Sequence, residues 1–173
     1  MTMDRELITQ KKETLHKIHY MYKTIIANLL YSRYKKEFKT TKTKVGNQII
    51  SVDLMSADKT IIVKIINSKL RTHDQINSRI FKHIMSGILN LCLVDSKIKL
   101  LIFTNKITYE KFYTSLAVMP YPISHMRELI MIACIPLSDG FTDDEFCDHS
   151  NKYEMLLNSL DYAWGEMNDK NHS

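Results

Sequence analysis

Three short runs decide the fold: Gln48-Ile49-Ile50-Ser51-Val52-Asp53-Leu54, then Ser56-Ala57-Asp58-Lys59, then Thr60-Ile61-Ile62-Val63-Lys64-Ile65-Ile66. The first and third are rich in β-branched residues and read as strands. The second is too short and polar to be anything but a turn, so the two strands form a hairpin. The third run is apolar almost throughout, the pattern of a strand covered on both faces.

Working outward, residues 3–36 read as a helix. Leu7, Leu15, Ile18, Met21, Tyr22, Ile25, Ile26, Leu29 and Leu30 recur at steps of three and four, with Lys11, Lys12, Lys17 and Lys23 on the opposite face. The run is long for a globular domain, and a break near Lys11 is expected. Phe38 to Val45, followed by Gly46-Asn47, adds a strand before the hairpin. Residues 73–94 read as a second helix, capped by Asp74, with Ile76, Ile80, Phe81, Ile84, Met85, Ile88, Leu89 and Leu91 on one stripe. Ile98 to Thr104 is a strand, and a short helix runs from Thr108 to Ala117 before Met119-Pro120-Tyr121-Pro122 ends it. Residues 124–135 and a segment from Thr142 to about Glu166 read as helices. Together these give an α/β class: a mixed central sheet flanked by helices, with a core over residues 1–118 and a helical acidic extension over residues 119–173.

The chain has 173 residues, 45% of them hydrophobic and 25% charged, which suits an ordinary packed core and excludes a disordered chain. Four Gly and three Pro exclude a Gly-rich phosphate loop. Cys92, Cys134 and Cys147 are odd in number and widely spaced, so neither a disulfide framework nor a structural zinc site is expected. Cys92 reads as a small core residue. His149 beside Cys147 is a weak metal pattern, and His16 and His19, three apart on a helix, have no carboxylate at ligand spacing. No apolar run is long enough to span a membrane, and the first residues lack the order of a secretory signal, so a cytoplasmic location is expected. The net charge of +5 is unevenly spread: residues 1–110 carry 20 Lys and Arg against 9 Asp and Glu (+11), and residues 111–173 carry 4 against 10 (−6). The basic part suits a polyanion, and the acidic part must point away from it or cover the basic surface.

Asp53 near the end of one hairpin strand, an apolar strand with Lys64, then Asn67-Ser68-Lys69 and a helix containing Gln75: this layout resembles the PD-(D/E)XK nuclease superfamily. The resemblance covers roughly residues 5–110. It implies a restriction-endonuclease-like fold, a helix followed by a three-strand meander, a helix and a strand. It also implies a site in which Asp53 binds Mg²⁺, the metal polarises a phosphate and lowers the pKa of a water, and a lysine steadies the developing charge. The chain departs from that pattern where the chemistry sits. The position of the family's glutamate falls on Lys64, and that of its lysine falls on Ile66. Lys64 would repel Mg²⁺ and pair with Asp53 instead. Glu6 or Glu13 could restore a carboxylate, and Lys69 a lysine.

The degenerate catalytic set is thus Asp53, Lys64 and Lys69, with Asp53 a metal ligand only in the active alternative. Two basic groups are candidates for phosphate contact. One is the segment 33–44, with Arg33, Lys35, Lys36, Lys39, Lys42 and Lys44, interleaved with Tyr34, Phe38 and several threonines. The bland reading of that segment is a solvated edge strand that its lysines protect from aggregation. The other group is Lys69, Arg71 and Arg79, with His73 and Lys82, at the start of the second main helix. Met119, Met126, Met131, Met155 and Met167, with Tyr153, Tyr162 and Trp164, offer a docking surface for a protein partner or a second copy, or else pack on the chain's own sheet.

The expectation is a nuclease-like protein with impaired catalysis and no cofactor that binds nucleic acid, DNA in preference to RNA, or serves as a subunit of a DNA-processing or defence complex. An active Mg²⁺-dependent DNase with relocated ligands, and an interaction module that touches no nucleic acid, are the alternatives.

Overall fold

The computed structural model describes residues 2–119 and 129–137, with side chains from residue 13 onward. Eight elements follow in order: α1 (Thr2–Tyr34), β1 (Phe38–Val45), β2 (Gln48–Ser56), β3 (Ile61–Ile66), α2 (Ser78–Leu93), β4 (Ile98–Phe103), α3 (Lys106–Ala117) and β5 (Met131–Cys134). The five strands form one mixed sheet in the order β1-β2-β3-β4-β5. The pairs β1–β2 and β2–β3 are antiparallel, whereas β3–β4 and β4–β5 are parallel.

The period-two alternation of β3 and β4 sorts their side chains onto two faces. Ile61, Val63, Ile65, Leu100 and Ile102 pack under α1 against Tyr22, Ile25, Ile26, Leu29 and Leu30. Ile62, Ile66, Leu101 and Phe103 pack on the other face against Ile84, Ile88 and Leu91 of α2 and Phe112 and Leu116 of α3. The sheet is therefore sandwiched, and this double cover explains the unbroken apolar run of β3.

Gly46 and Asn47 make a two-residue turn between β1 and β2, with Gly46 at φ 56°, the conformation that glycine adopts without steric cost. The β2–β3 turn is organised by Asp58. Its carboxylate accepts from Ser56 Oγ at 2.7 Å, Thr60 Oγ1 at 2.8 Å and Lys36 Nζ at 2.5 Å. These bonds, that from Lys36 foremost, hold the Asp58 carboxyl well below the usual carboxylate range.

Four expectations are corrected. α1 runs unbroken through Lys11. At about 1.5 Å per residue against about 3.3 Å for a strand, it is longer than the sheet it covers. That overhang leaves Leu15 63% exposed, although it sits on the apolar stripe. The cap of α2 is Asn77, whose Oδ1 accepts from Ile80 N at 3.0 Å, rather than Asp74, which closes a turn by accepting from Arg71 N at 2.9 Å. α3 starts at Lys106, capped by Asn105, whose Oδ1 accepts from Thr108 N at 2.9 Å. Residues 131–134, read from sequence as helix, are the strand β5 beside β4. Ile132 and Ala133 meet the apolar residues of β4, and the sheet thereby draws on residues beyond 118. The expected helix from Thr142, the pattern at Cys147 and His149, and Met126, Met155, Met167, Tyr153, Tyr162 and Trp164 lie outside the described residues. Cys92 is half-buried, packed against the core on the α2 side.

Candidate functional site

The site begins with an irregularity in β2. Between Lys39 and Thr41 of β1 the partners step from Met55 to Val52, so β2 carries one residue more than the strand beside it. Such a bulge bends a strand and re-aims side chains. Val52 and Met55 pack toward α2, while Leu54 packs toward α1. The registered β2–β3 pairs are Leu54 with Val63 and Met55 with Ile62. Just past them the Asp53 side chain takes the place of a strand partner, its Oδ2 accepting from Ile65 N at 2.9 Å.

Asp53 is 5% exposed and held from both faces of the sheet. From the α1 side, Lys23 Nζ lies 3.0 Å from Oδ1 and His19 Nε2 lies 3.4 Å from the same oxygen. From the other side, Lys64 Nζ lies 3.0 Å from Oδ2. The expected ion pair between Asp53 and Lys64 is thus present, joined by Lys23, which the helical period predicts on the face of α1 opposite its apolar stripe. Burial alone would raise the Asp53 pKa. The His19 hydrogen bond, the Lys64 charge and the Ile65 N–H outweigh it and hold the carboxyl well below the usual range.

His19 is itself oriented. Its Nδ1 lies 3.1 Å from the Asn67 side-chain amide. An amide N–H there requires Nδ1 to accept, which selects the tautomer whose Nε2–H donates to Asp53. Asn67 in turn leads a loop tied to α3. Thr108 Oγ1 donates to Ser68 O at 2.8 Å, and Leu70 N donates to Thr108 Oγ1 at 3.2 Å. Lys64 crosses α2 at Gly87, where a Cβ would come within 2.9 Å of its Cγ. Any larger residue would force the lysine stem or the helix to shift.

Beside Lys64 lies a surface cleft of about 410 Å³, lined by His16 and His19 of α1, Lys64 and Ile65 of β3, Asn67, and His83 of α2, with Leu15 at its wall. Burial lowers the pKa of His83, and the Lys64 charge lowers it further against the opposing pull of Asp53. The cleft sits toward the C-terminal end of β3, between α1 and α2.

The remaining expected residues fall into place by register. Lys42 and Lys44 are exposed on β1, opposite Ser51 and Ile49, at the cleft end of the sheet. Lys39 lies opposite Met55, toward the other end, 3.5 Å from Glu37. Lys36 is committed to Asp58 and Thr60 in the β2–β3 turn. Arg33 closes the last turn of α1, and Lys35 follows it at φ 55°. Lys69, Arg71 and Arg79 are exposed on the β3–α2 loop and the first turn of α2, at the cleft end. Segment 33–44 is therefore divided between the two ends of the sheet, and β1 is an edge strand in the described sheet, as its bland reading has it. Lys69 does not line the cleft.

The donor set around Asp53 does not fit Mg²⁺. A hard cation needs several oxygen ligands. Here both oxygens of one carboxylate already accept from N–H groups, and no cluster of three or more His, Cys, Asp or Glu able to hold a metal occurs among the described residues. Glu13 is exposed, and Ile66, at the family's lysine position, is fully buried under α2. Sequence reasoning missed Lys23, His19, His83 and Gly87. For the first three the only signal was residue type on helices that turn out to flank Asp53. No helix among the described residues is long and apolar enough to cross a membrane. Comparison with protein-family models, curated proteins and solved structures gives no match.

Proposed function

We propose that this chain is a nuclease-like nucleic-acid-binding domain that has lost hydrolysis. One observation carries the reading: Asp53, where the resembled superfamily has a metal ligand, is held between Lys23 and Lys64, each at 3.0 Å. Two ammonium groups on one carboxylate exclude a divalent cation by charge and occupy its lone pairs. The order of α1, the β1–β2–β3 meander, α2 and β4 supports the restriction-endonuclease-like expectation, and it is compatible with other α/β folds of the same order. The cations Lys42, Lys44, Lys69, Arg71 and Arg79 share one end of the sheet, which favours a polyanion reaching that end.

Binding is measured by fluorescence anisotropy on a DNA duplex, and on RNA of the same sequence, across a salt series. Affinity falling steeply with salt, tighter for DNA, and no strand scission with Mg²⁺ is the expected result. Cleavage that EDTA abolishes and Asp53→Ala removes would restore the active DNase. No binding to either polymer at low salt would leave the interaction module.

A further inference from the structure

The cleft beside Asp53 has a charge that its own residues do not balance. Lys23 and Lys64, each with a side chain only 17% exposed, share one carboxylate. Among the described residues this leaves a surplus positive charge in a half-buried place, and an unbalanced charge out of water is costly. The surplus faces the cleft through Lys64. Its walls add His16, His83 and the Asn67 amide, and among the described residues no carboxylate belongs to the lining. An ammonium has three donors, of which Asp53 takes one. His19 is already directed at Asp53, which leaves His16 and His83, both exposed to the cleft, to donate elsewhere. Among the described residues, the three histidines belong to no group of three or more His, Cys, Asp or Glu able to hold a metal.

We infer that this cleft binds a phosphate group directly, without a metal, with the Lys64 ammonium supplying the charge and His16, His83 and Asn67 supplying hydrogen bonds. A compact oxyanion suits the polar part of the lining: it balances the surplus charge and can accept from Lys64, His16, His83 and Asn67. The phosphate is a backbone diester or a terminal monoester of a nucleic acid. That source rests on the proposed function, whereas the anion site stands on the cleft's own chemistry.

The test uses the full chain, with inorganic phosphate first. Imidazole resonances of His16 and His83 are followed by NMR during titration at constant ionic strength, held with sodium chloride. Saturable shifts of both are expected. The double variant His16→Gln/His83→Gln, at exposed positions that the fold tolerates, should weaken phosphate binding about tenfold or more. Lys64→Met should weaken it further. No shift beyond that of the chloride control, or unchanged affinity in the double histidine variant, overturns the inference. A 5′-phosphorylated oligonucleotide is then compared with its 5′-hydroxyl twin. Tighter binding of the first, lost in the double variant, identifies a terminal monoester, and equal binding that weakens in the double variant identifies a backbone phosphate. Phosphate binding by the histidines with no binding of either oligonucleotide upholds the anion site and sinks the nucleic-acid reading.

Discussion

Lys64 of β3 lies with its Nζ 3.0 Å from Asp53 of β2, its stem against Gly87 of α2. The pair closes the gap that opens where β2 bulges away from β1 and its carboxylate, not its backbone, receives the Ile65 N–H. Asp53 is thereby a structural bolt between strands and helices, with two ammonium groups against one carboxylate among the described residues.

Removing the bolt should be costly. Asp53→Ala strands Lys23 and Lys64 without a counter-ion and leaves Ile65 N unsatisfied, a loss of about 3 kcal/mol. Asp53→Asn keeps an acceptor for Ile65 N and should cost less. Urea unfolding of wild type and both variants measures the losses: an Asp53→Asn variant as stable as wild type would mean the ion pairs contribute nothing, and equal stability of the two variants would mean the same of the Ile65 N–H bond.

The same carboxylate sets an acid limit. Its folded pKa lies below its unfolded value, so its stabilisation is fully present above the ordinary carboxylate pKa of about 4 and is lost as the pH falls beneath it. Wild type should lose more stability than Asp53→Asn between about pH 5 and pH 2. Parallel unfolding curves over that range would refute the linkage.

Gly87→Ala should destabilise the fold although alanine is the better helix former. The new Cβ would meet Lys64 Cγ at 2.9 Å. Helix propensity favours alanine by about 1 kcal/mol, and overpacking costs about 1–3 kcal/mol. A net loss near 1 kcal/mol lowers Tm by about 3 °C. A higher Tm would show that Lys64 moves aside freely.

His83 reports the field of Lys64. Its pKa is lowered first by burial and next by that lysine, so Lys64→Met should raise it while leaving it below the ordinary value. With the folded pKa below the unfolded one, stability falls as the pH drops through about 6.5. An NMR titration of the imidazole gives both values, and a fall in pKa on removing Lys64 would contradict the geometry.

The two ends of the edge strand should differ in nucleic-acid binding. Lys42→Gln with Lys44→Gln should reduce the salt slope by about 1.8, at about 0.9 for each lost phosphate contact. Lys39→Gln, toward the other end and near Glu37, should leave it nearly unchanged. Equal effects from both variants would mean that charge alone, and not its placement, governs binding.

Much of this was legible in the residues. The change from a three-and-four period to a period of two at Phe38 separates α1 from the meander, and the apolar run at Ile61–Ile66 demands cover on both faces. Lys64 opposite Asp53 follows from residue type and a short hairpin. Those features are local, because a backbone period and a tight turn are set by neighbours in sequence. What only the tertiary structure decided is long-range. Four residues at 131–134 carry no period able to distinguish strand from helix, and pairing with β4 settles them as β5. The bulge at Asp53 exists only relative to β1. His19, Lys23 and His83 reach one carboxylate and its cleft because α1 and α2 pack on opposite faces of the same sheet, and that convergence is a property of packing that no single stretch of sequence contains.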